Sequence, residues 1–226
     1  RTINKISLVI WFSILYNIHI EVIIMTIDKK DMLNSILDSI SRIDYIKPED
    51  IPNIDLYMDQ VTTFMEEGLE RTKRYPNDKI LTKTMINNYA KNNLLPPPVK
   101  KKYTREHMLM LIFIYYFKNL LSIKDIETLF APMTEKYFGN DEGLSMTDIY
   151  KEVCEFEKNK IDVTAKDIAR KYRDSLETFT NMPESEQKDL QLYSFICSLA
   201  FDVYVKKQVI EKLIDQMPEP THKNKK

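Results

Sequence analysis

A nearly unbroken apolar run near the middle of the chain restricts its fold more than any other feature of the sequence. The run from Met108 to Phe117 contains no charged residue and no glycine. A helix that is apolar on every side has to lie inside a protein, and this run is too short to cross a membrane. Thr104 stands just before it as a candidate helix N-cap. The run therefore predicts a central core helix over about residues 105–121.

The rest of the chain also indicates a helical protein. Only 3 of its 226 residues are glycine, whereas 43% are hydrophobic, so it can form a core but lacks the turn glycines of most sheet-rich folds. The same shortage excludes the glycine-rich loops that bind nucleotide phosphates. Pairs of a hydroxyl residue with an aspartate three positions later predict helix starts at Ser122, Ser145 and Thr164. We predict a mainly all-α fold, with helices near residues 31–43, 55–69, 82–92, 105–121, 123–130, 146–159, 165–180 and 184–216.

Residues that could carry catalysis or bind a metal are few and scattered. The histidines His19, His107 and His222 lie far from one another and from the cysteines, Cys154 and Cys197. No Cys-x-x-Cys spacing occurs and no nucleophile–base pair stands out, so we expect neither an enzyme nor a bound cofactor or metal. Both cysteines lie in apolar helical patterns, and we expect both to be buried and reduced.

The first 24 residues form an apolar segment that differs from the rest of the chain. Residues 6–24 are long enough to span a membrane, but Asn17, His19 and Glu21 would have to lie within the span. We therefore expect no membrane association, and we interpret residues 1–24 as lying upstream of a start at Met25. A membrane anchor and a genuine additional helix are the alternatives. Residues 25–50 then form an N-terminal helix and a linker.

Positive charge is concentrated in one part of an almost neutral chain. The net charge is −1, yet residues 71–107 carry ten Lys or Arg residues against Asp78 and Glu106, a local charge of +8 that leaves −9 for the remainder. A basic patch in an otherwise acidic protein is typical of a surface that binds phosphate groups. The alternative is a solvated basic face without a partner.

The residues of this basic stretch follow the order expected of a DNA-binding element. The predicted helix 82–92 carries Asn and Lys side chains that can meet base edges or phosphates. Three prolines at 96–98 then hold the chain extended, and Val99–Tyr103 can form a small strand or hairpin arm that carries lysines to a DNA backbone. The candidate DNA-binding residues are Lys83, Thr84, Asn87, Asn88, Lys91, Lys100, Lys101, Lys102, Tyr103 and Arg105.

Four motifs in this region resemble an uncharacterised bacterial family, domain of unknown function 1836. They are LYMDQV at Leu56–Val61, ILTKTMINNY at Ile80–Tyr89, LLPPPVKKKYTREH at Leu94–His107 and LSIKDIETLF at Leu121–Phe130. Their order is also similar to that of the winged helix-turn-helix of the MerR family. The resemblance covers about residues 50–132. It implies a MerR-like winged helix-turn-helix with a small β wing, and DNA binding in which Tyr89 and the wing lysines lie near phosphates.

The domain organisation predicted from these features has a DNA-binding part and a helical part. We expect the winged domain at 51–132, a linker at 133–144, a helical C-terminal domain at 145–217 and a polar tail at 218–226. The helix near 184–216 is too apolar for a surface helix, so it is expected to be buried in its own domain or against a second copy in a homodimer.

The function expected from the sequence is that of a cytoplasmic transcription regulator that binds double-stranded DNA. No small-molecule effector is identified by the sequence. The alternative is a helical protein-interaction module that keeps a winged fold without binding DNA.

Overall fold

A computed structural model describes residues 29–41, 46–140, 142–158 and 160–220 of the protein. Residues 1–24, which we interpret as lying upstream of a start at Met25, and residues 221–226 of the expected tail lie outside the described residues. The chain separates into two units, Arg1–Arg42 and Ile43–Lys226. Helix α1 (Lys29–Ser41) is the described part of the first unit and lies close to the helix expected at 31–43. Among the helices of the described ranges, none combines the length and apolar character that a membrane span needs.

The second unit is built mainly of helices, as the composition predicts. Within the described ranges its sheet has two short antiparallel strands. Two 3₁₀ turns, Pro48–Asp50 and Glu70–Thr72, lie in the connections. In chain order the elements are β1 (Leu56–Tyr57), α2 (Met58–Leu69), α3 (Lys83–Lys91), β2 (Lys102–Tyr103), α4 (Arg105–Phe117), α5 (Ile123–Tyr137), α6 (Met146–Lys158), α7 (Ile161–Ser175) and α8 (Glu184–Ile214).

Helix α4 lies at the centre of this unit, which confirms the prediction from its apolar run. Every residue from His107 to Tyr115 is buried, so the helix has neighbours on all its sides. Val61 and Met65 of α2 and Ile86 of α3 belong to the same core and are fully buried. Each buried aliphatic side chain contributes about 1.5–3 kcal/mol, so this cluster holds the surrounding elements on α4.

Helix α5 continues past the proline that was expected to end it. The sequence predicts a helix over 123–130, but α5 runs to Tyr137 with Pro132 inside it. An interior proline costs a helix about 3 kcal/mol or more. Phe130 is buried before the proline, and Tyr137 packs against the core after it. Packing on both sides therefore outweighs the cost of the proline, and the expected linker over 133–144 begins as helix.

Two of the three predicted capping pairs are present. Ser122 and Ser145 each stand directly before a helix, and their hydroxyls accept from the backbone N–H three residues later at 3.1 and 3.2 Å. The prediction at Thr164 is wrong, because α7 begins at Ile161. The backbone N–H of Thr164 already donates to the carbonyl of Lys160 at 2.9 Å, as in a first helical turn.

Helix α6 packs into the core around α4, although the sequence predicts that a separate C-terminal domain begins near residue 145. Met146 and Tyr150 are fully buried in the same cluster as α4. The Tyr150 hydroxyl donates to the carbonyl of Ile46 at 2.7 Å, and its ring meets Phe113 edge-on at 5.3 Å between centroids. The side chains of α6 thus close the core that begins near Ile46.

Helices α7 and α8 form an antiparallel pair. Phe195 of α8 meets Tyr172 of α7 edge-on, with 5.4 Å between ring centroids. Lys171 of α7 pairs with Asp202 of α8 at 2.8 Å, and the Gln191 side chain donates to the carbonyl of Leu176 at 2.7 Å. One face of α8 is thereby held against α7.

The far end of α8 meets the central core. Ile214 is buried there, and an apolar pocket of about 290 Å³ lies between it and the ends of α4 and α5, beside Phe117, Leu121 and Leu129. The middle of α8 is different, since apolar residues on one of its faces are exposed. Cys197 lies on that face and is exposed, so the expectation that both cysteines are buried is wrong for this one, while Cys154 is half-buried.

Candidate nucleic-acid interface

Helix α3 begins and ends as its sequence predicts, and it presents two different faces. Thr82 is its N-cap, and its hydroxyl accepts from the Met85 backbone N–H at 3.2 Å. At the other end Asn93 adopts a left-handed conformation with φ of 57°, and the Leu94 N–H donates to the Tyr89 carbonyl at 2.9 Å. This is the hydrogen bond of a Schellman motif, and asparagine tolerates the left-handed conformation that the motif requires better than most residues do. The ends of the helix are therefore set by local chemistry.

The outward face of α3 carries the predicted polar residues, and all five are exposed. An asparagine side chain can make two hydrogen bonds to an adenine edge, and a lysine can meet guanine or phosphate. Asp59 of α2 forms an ion pair with the first of the lysines, which offsets part of the positive charge at that end. The exposed residues are Lys83, Thr84, Asn87, Asn88 and Lys91.

The predicted hairpin arm is present as a tight two-residue turn. Val99 and Lys102 form an antiparallel bridge, and the Lys102 N–H donates to the Val99 carbonyl at 2.9 Å. Lys100 and Lys101 form the tip, are exposed, and have positive φ angles of 50° and 64°. Positive φ at both central residues is the mark of a type I′ turn, which normally uses Asn-Gly or Gly-Gly. Lysine carries a Cβ, so the backbone is strained at both positions.

The returning strand of the arm attaches to the rest of the domain. Lys102 pairs with Tyr57 and Tyr103 with Leu56 between β2 and β1. The Lys102 ammonium lies 5.5 Å from the centre of the Tyr57 ring and is half-buried. The arm is thus fixed at its base, while the lysines at its tip project into solvent.

His107 connects the arm to the proline segment that follows α3. Its Nδ1 accepts from the Thr104 backbone N–H at 3.0 Å, so its Nε2 carries the proton and donates to the Pro96 carbonyl at 3.2 Å. The ring is buried between Tyr103 and Phe138, which it meets edge-on. Burial holds the pKa of His107 below its ordinary value. Since the ring bonds both segments as a neutral group, it positions the arm relative to the end of α3.

Three of the candidate DNA-binding residues have structural roles, and two of them are buried. Tyr89 and Tyr103 are 5% and 3% exposed, and burial raises the pKa of both. The Arg105 guanidinium donates to the carbonyls of Ile51 at 3.0 Å and Pro48 at 2.5 Å, so it holds the chain before β1. A partner can therefore reach the α3 face and the tip lysines, whereas the two tyrosines are buried and the half-buried Arg105 is engaged with backbone carbonyls.

Part of the basic stretch is engaged within the protein as well. Lys73 forms an ion pair with Glu66, and this contact lowers the pKa of the carboxyl. The Arg74 guanidinium lies 5.2 Å from the centre of the Tyr75 ring.

The strained backbone at Lys100 and Lys101 was not predicted from the sequence, because Lys-Lys is not a pair that predicts a tight turn. In the described part of the chain no three His, Cys, Asp or Glu residues group together as metal ligands.

Comparison with known proteins identifies one family. Residues 46–153 match the model of the family described as "Domain of unknown function (DUF1836)". No curated protein and no solved structure matches the chain. The matched segment begins at Ile46 and extends past Tyr150, the two residues that the hydrogen bond from α6 joins across the core. It therefore includes α3, the arm and α4. Residues 46–153 are therefore similar to the uncharacterised family DUF1836.

Proposed function

We propose that this protein is a cytoplasmic transcription regulator that binds duplex DNA with the outward face of α3 and the tip of the lysine arm. The observation that carries the proposal is the arm, in which two exposed lysines occupy positive-φ positions that glycine or asparagine would fill without strain. Strained backbone tends to persist where the side chains it presents have a use. Two ammonium groups at the tip of a short hairpin suit neighbouring phosphates of a DNA backbone.

The α3 face supplies the complementary chemistry of base recognition. It presents hydroxyl, amide and ammonium groups without an apolar side chain among them, and its two asparagines can form paired hydrogen bonds with adenine. The proline segment after α3 and the His107 bridge hold the arm in a defined relation to that helix. In this proposal α3 lies in a groove and specifies sequence, while the arm contacts phosphates and positions the protein.

We propose that this arrangement serves as a MerR-like winged helix-turn-helix, in which some residues that the resemblance places near DNA have a different role. Tyr89 and Tyr103 are buried and Arg105 holds backbone carbonyls, so these residues support the reading surface rather than contact DNA. Lys102 is half-buried beside the Tyr57 ring, so it also supports the arm. The lysines Lys100 and Lys101 and the five exposed residues of α3 remain as the contacting set.

Selection of bound fragments from a random pool of DNA duplexes tests this function. We expect an enriched sequence, and an affinity that falls steeply with salt because phosphate contacts release counterions. Asn87→Ala should relax the preference at one position of that sequence and cost about 1–3 kcal/mol of discrimination there. Asn119→Ala, which alters an exposed asparagine outside the basic stretch, is the matched control and should leave the preference unchanged.

Two outcomes count against the proposal. If no duplex is bound in a salt-dependent way, the chain is better described as a helical protein-interaction module that keeps the winged arrangement. If DNA is bound but Asn87→Ala and Asn119→Ala behave alike, α3 is not the element that recognises bases.

A further inference from the structure

The exposed face of α8 carries an apolar seam. Tyr193, Ile196 and Val203 are 65%, 54% and 55% exposed, and the small residue Ala200 between them is exposed as well. Their spacings of three, four and three residues are those of the a and d positions of a coiled coil. At 3.6 residues per turn all four lie within about 40° of one line along the helix. The spacing and exposure are those of a surface that packs against another helix.

The opposite face of the helix is already used. Phe195 and Gln191 contact α7, and Asp202, the single charged residue between 190 and 205, pairs with Lys171 of α7. The seam therefore has no charged side chain along its length. A surface helix of a monomer normally carries polar residues on such a face.

The ends of the seam carry opposite charges at matching distances from its centre. Asp189 lies nine residues before Ser198 and Lys207 lies nine residues after it. Both fall on the same line of the helix as the apolar seam. Lys207 also contacts Glu211 at 3.6 Å and is 43% exposed, an arrangement that contributes little at a surface and leaves the ammonium available to a second carboxylate.

A second copy of the same helix, running antiparallel, fits this pattern. With the two-fold axis at Ser198, each carboxylate at one end of the seam meets an ammonium at the other end of the partner. The small residue Ala200, near the centre of the seam, lets the two helices approach closely. The residues brought opposite each other are Asp189 and Lys207, Tyr193 and Val203, and Ile196 and Ala200.

The exposed apolar area is also of the size that a dimer needs. Tyr204 flanks the seam and is 59% exposed. At roughly 150–250 Å² for each fully exposed aromatic side chain, the exposed apolar residues of this face present about 400 Å² per copy. A standard protein interface buries about 800 Å² per partner including its polar rim. The apolar seam with its charged ends is therefore close to one complete side of such an interface.

We propose that the protein forms a homodimer through antiparallel pairing of its α8 helices, centred on Ser198. The pairing places two copies of the same surface in contact, which is the self-complementary arrangement of a two-fold dimer. This inference does not rest on DNA binding, and it can be tested on the full chain without any nucleic acid.

Sedimentation analysis across a range of concentrations measures the pairing directly. The wild-type chain should show twice its 26.9 kDa mass. Ile196→Glu places a charge in the seam and should raise the dissociation constant at least about tenfold. Val209→Glu is the matched control, because it makes the same kind of change at an exposed position, 53% accessible, on the other side of α8. Circular dichroism of both variants checks that the helices are retained.

A charge exchange tests the antiparallel register. Asp189→Lys should weaken the dimer, because it brings two ammonium groups together at each end of the seam. Adding Lys207→Asp to that variant should restore the dimer, and both effects should diminish at high salt. A monomeric mass for the wild type at tens of micromolar overturns the dimer. This conclusion holds even if the monomeric protein binds lipid vesicles. Failure of the double variant to recover overturns the register. If substitution of the arm lysines abolishes DNA binding while the dimer stays intact, the dimer is independent of the proposed function.

Discussion

Replacing the two lysines at the tip of the arm by the residues that its backbone favours should have opposite effects on stability and on DNA binding. The perturbation is the double variant Lys100→Asn/Lys101→Gly, which installs the preferred pair of a type I′ turn. It leaves the bridge between Val99 and Lys102 in place, since that bridge uses backbone atoms. The variant therefore separates the geometry of the arm from its charge.

The size of the stability change follows from the two φ angles of 50° and 64°. A residue with a Cβ costs about 1 kcal/mol or more in the left-handed region. Glycine at position 101 removes this cost, and asparagine at position 100 keeps a Cβ but visits this region more readily than lysine, so the two changes together contribute about 1.5–2 kcal/mol. The added glycine makes the unfolded chain more flexible and offsets about 0.5–1 kcal/mol of this. We expect a net gain of about 1 kcal/mol, which raises Tm by about 2–4 °C for a domain of this size.

The effect on DNA binding should have the opposite sign. If each lysine contacts one phosphate, the slope of log affinity against log salt becomes shallower by about 0.9 for each lysine lost. The control is Lys151→Gln/Lys158→Gln, which removes two exposed lysines from α6 outside the basic stretch. Thermal unfolding followed by circular dichroism gives Tm, and fluorescence anisotropy of a labelled duplex at several salt concentrations gives the slope.

Each half of the reasoning can fail separately. A lower Tm in the Asn-Gly variant would show that the lysine backbone is not strained and that the lysines stabilise the turn. A salt slope equal to that of the α6 control would show that the arm does not contact DNA phosphates.

Four further predictions concern the scaffold that holds the arm. Burial lowers the pKa of His107 in the folded protein, so the ring binds a proton more readily in the unfolded chain. The free energy of unfolding should therefore be constant above about pH 6.5 and fall as the pH drops toward the folded pKa. Thermal melts of His107→Gln at several pH values should lack this pH dependence. Tyr150→Phe leaves the Ile46 carbonyl without its donor and should cost about 1–3 kcal/mol in urea unfolding, whereas no loss would mean that the bond is dispensable. Arg105→Met should lower Tm, since two backbone carbonyls lose a charged donor, and an unchanged Tm would contradict the structural role assigned to it. Asn93→Gly should raise the free energy of unfolding in urea by a few tenths of a kcal/mol, because Asn93 has a φ of 57° and glycine adopts this conformation without strain. A decrease would contradict the role of Asn93 as the C-terminal cap of α3.

The elements that the sequence predicts well are those determined by nearby residues. Helix α3 has its cap at Thr82 and its termination at Asn92-Asn93 within the same short segment, and α4 is recognisable because its apolar run is continuous. The exposed polar face of α3 follows from the same periodicity. The tip lysines were found as charges, since charge does not depend on conformation.

The features that the sequence does not predict depend on distant contacts. Pro132 indicates a helix end, and only packing on both sides of it keeps α5 continuous. The apolar pattern of α8 predicts burial in its own domain or against a second copy, and within the chain one face is exposed at Cys197 because the other face alone meets α7. Tyr89 carries a phosphate-contacting role in the family resemblance, yet its side chain lies in the core. Such outcomes depend on which neighbours the fold supplies.

The hydrogen bond from Tyr150 to Ile46 has a consequence for how the chain acquires its structure. It joins residues 104 positions apart, and it buries both ends of the matched domain in one core. Contacts of such wide separation form late, because the entropy of closing a long loop has to be overcome first. During synthesis, the segment near Ile46 is therefore expected to complete its packing only after α6 has left the ribosome. A nascent chain that stops near residue 145 should still expose the apolar surface of α4, and would be a substrate for chaperones until α6 arrives.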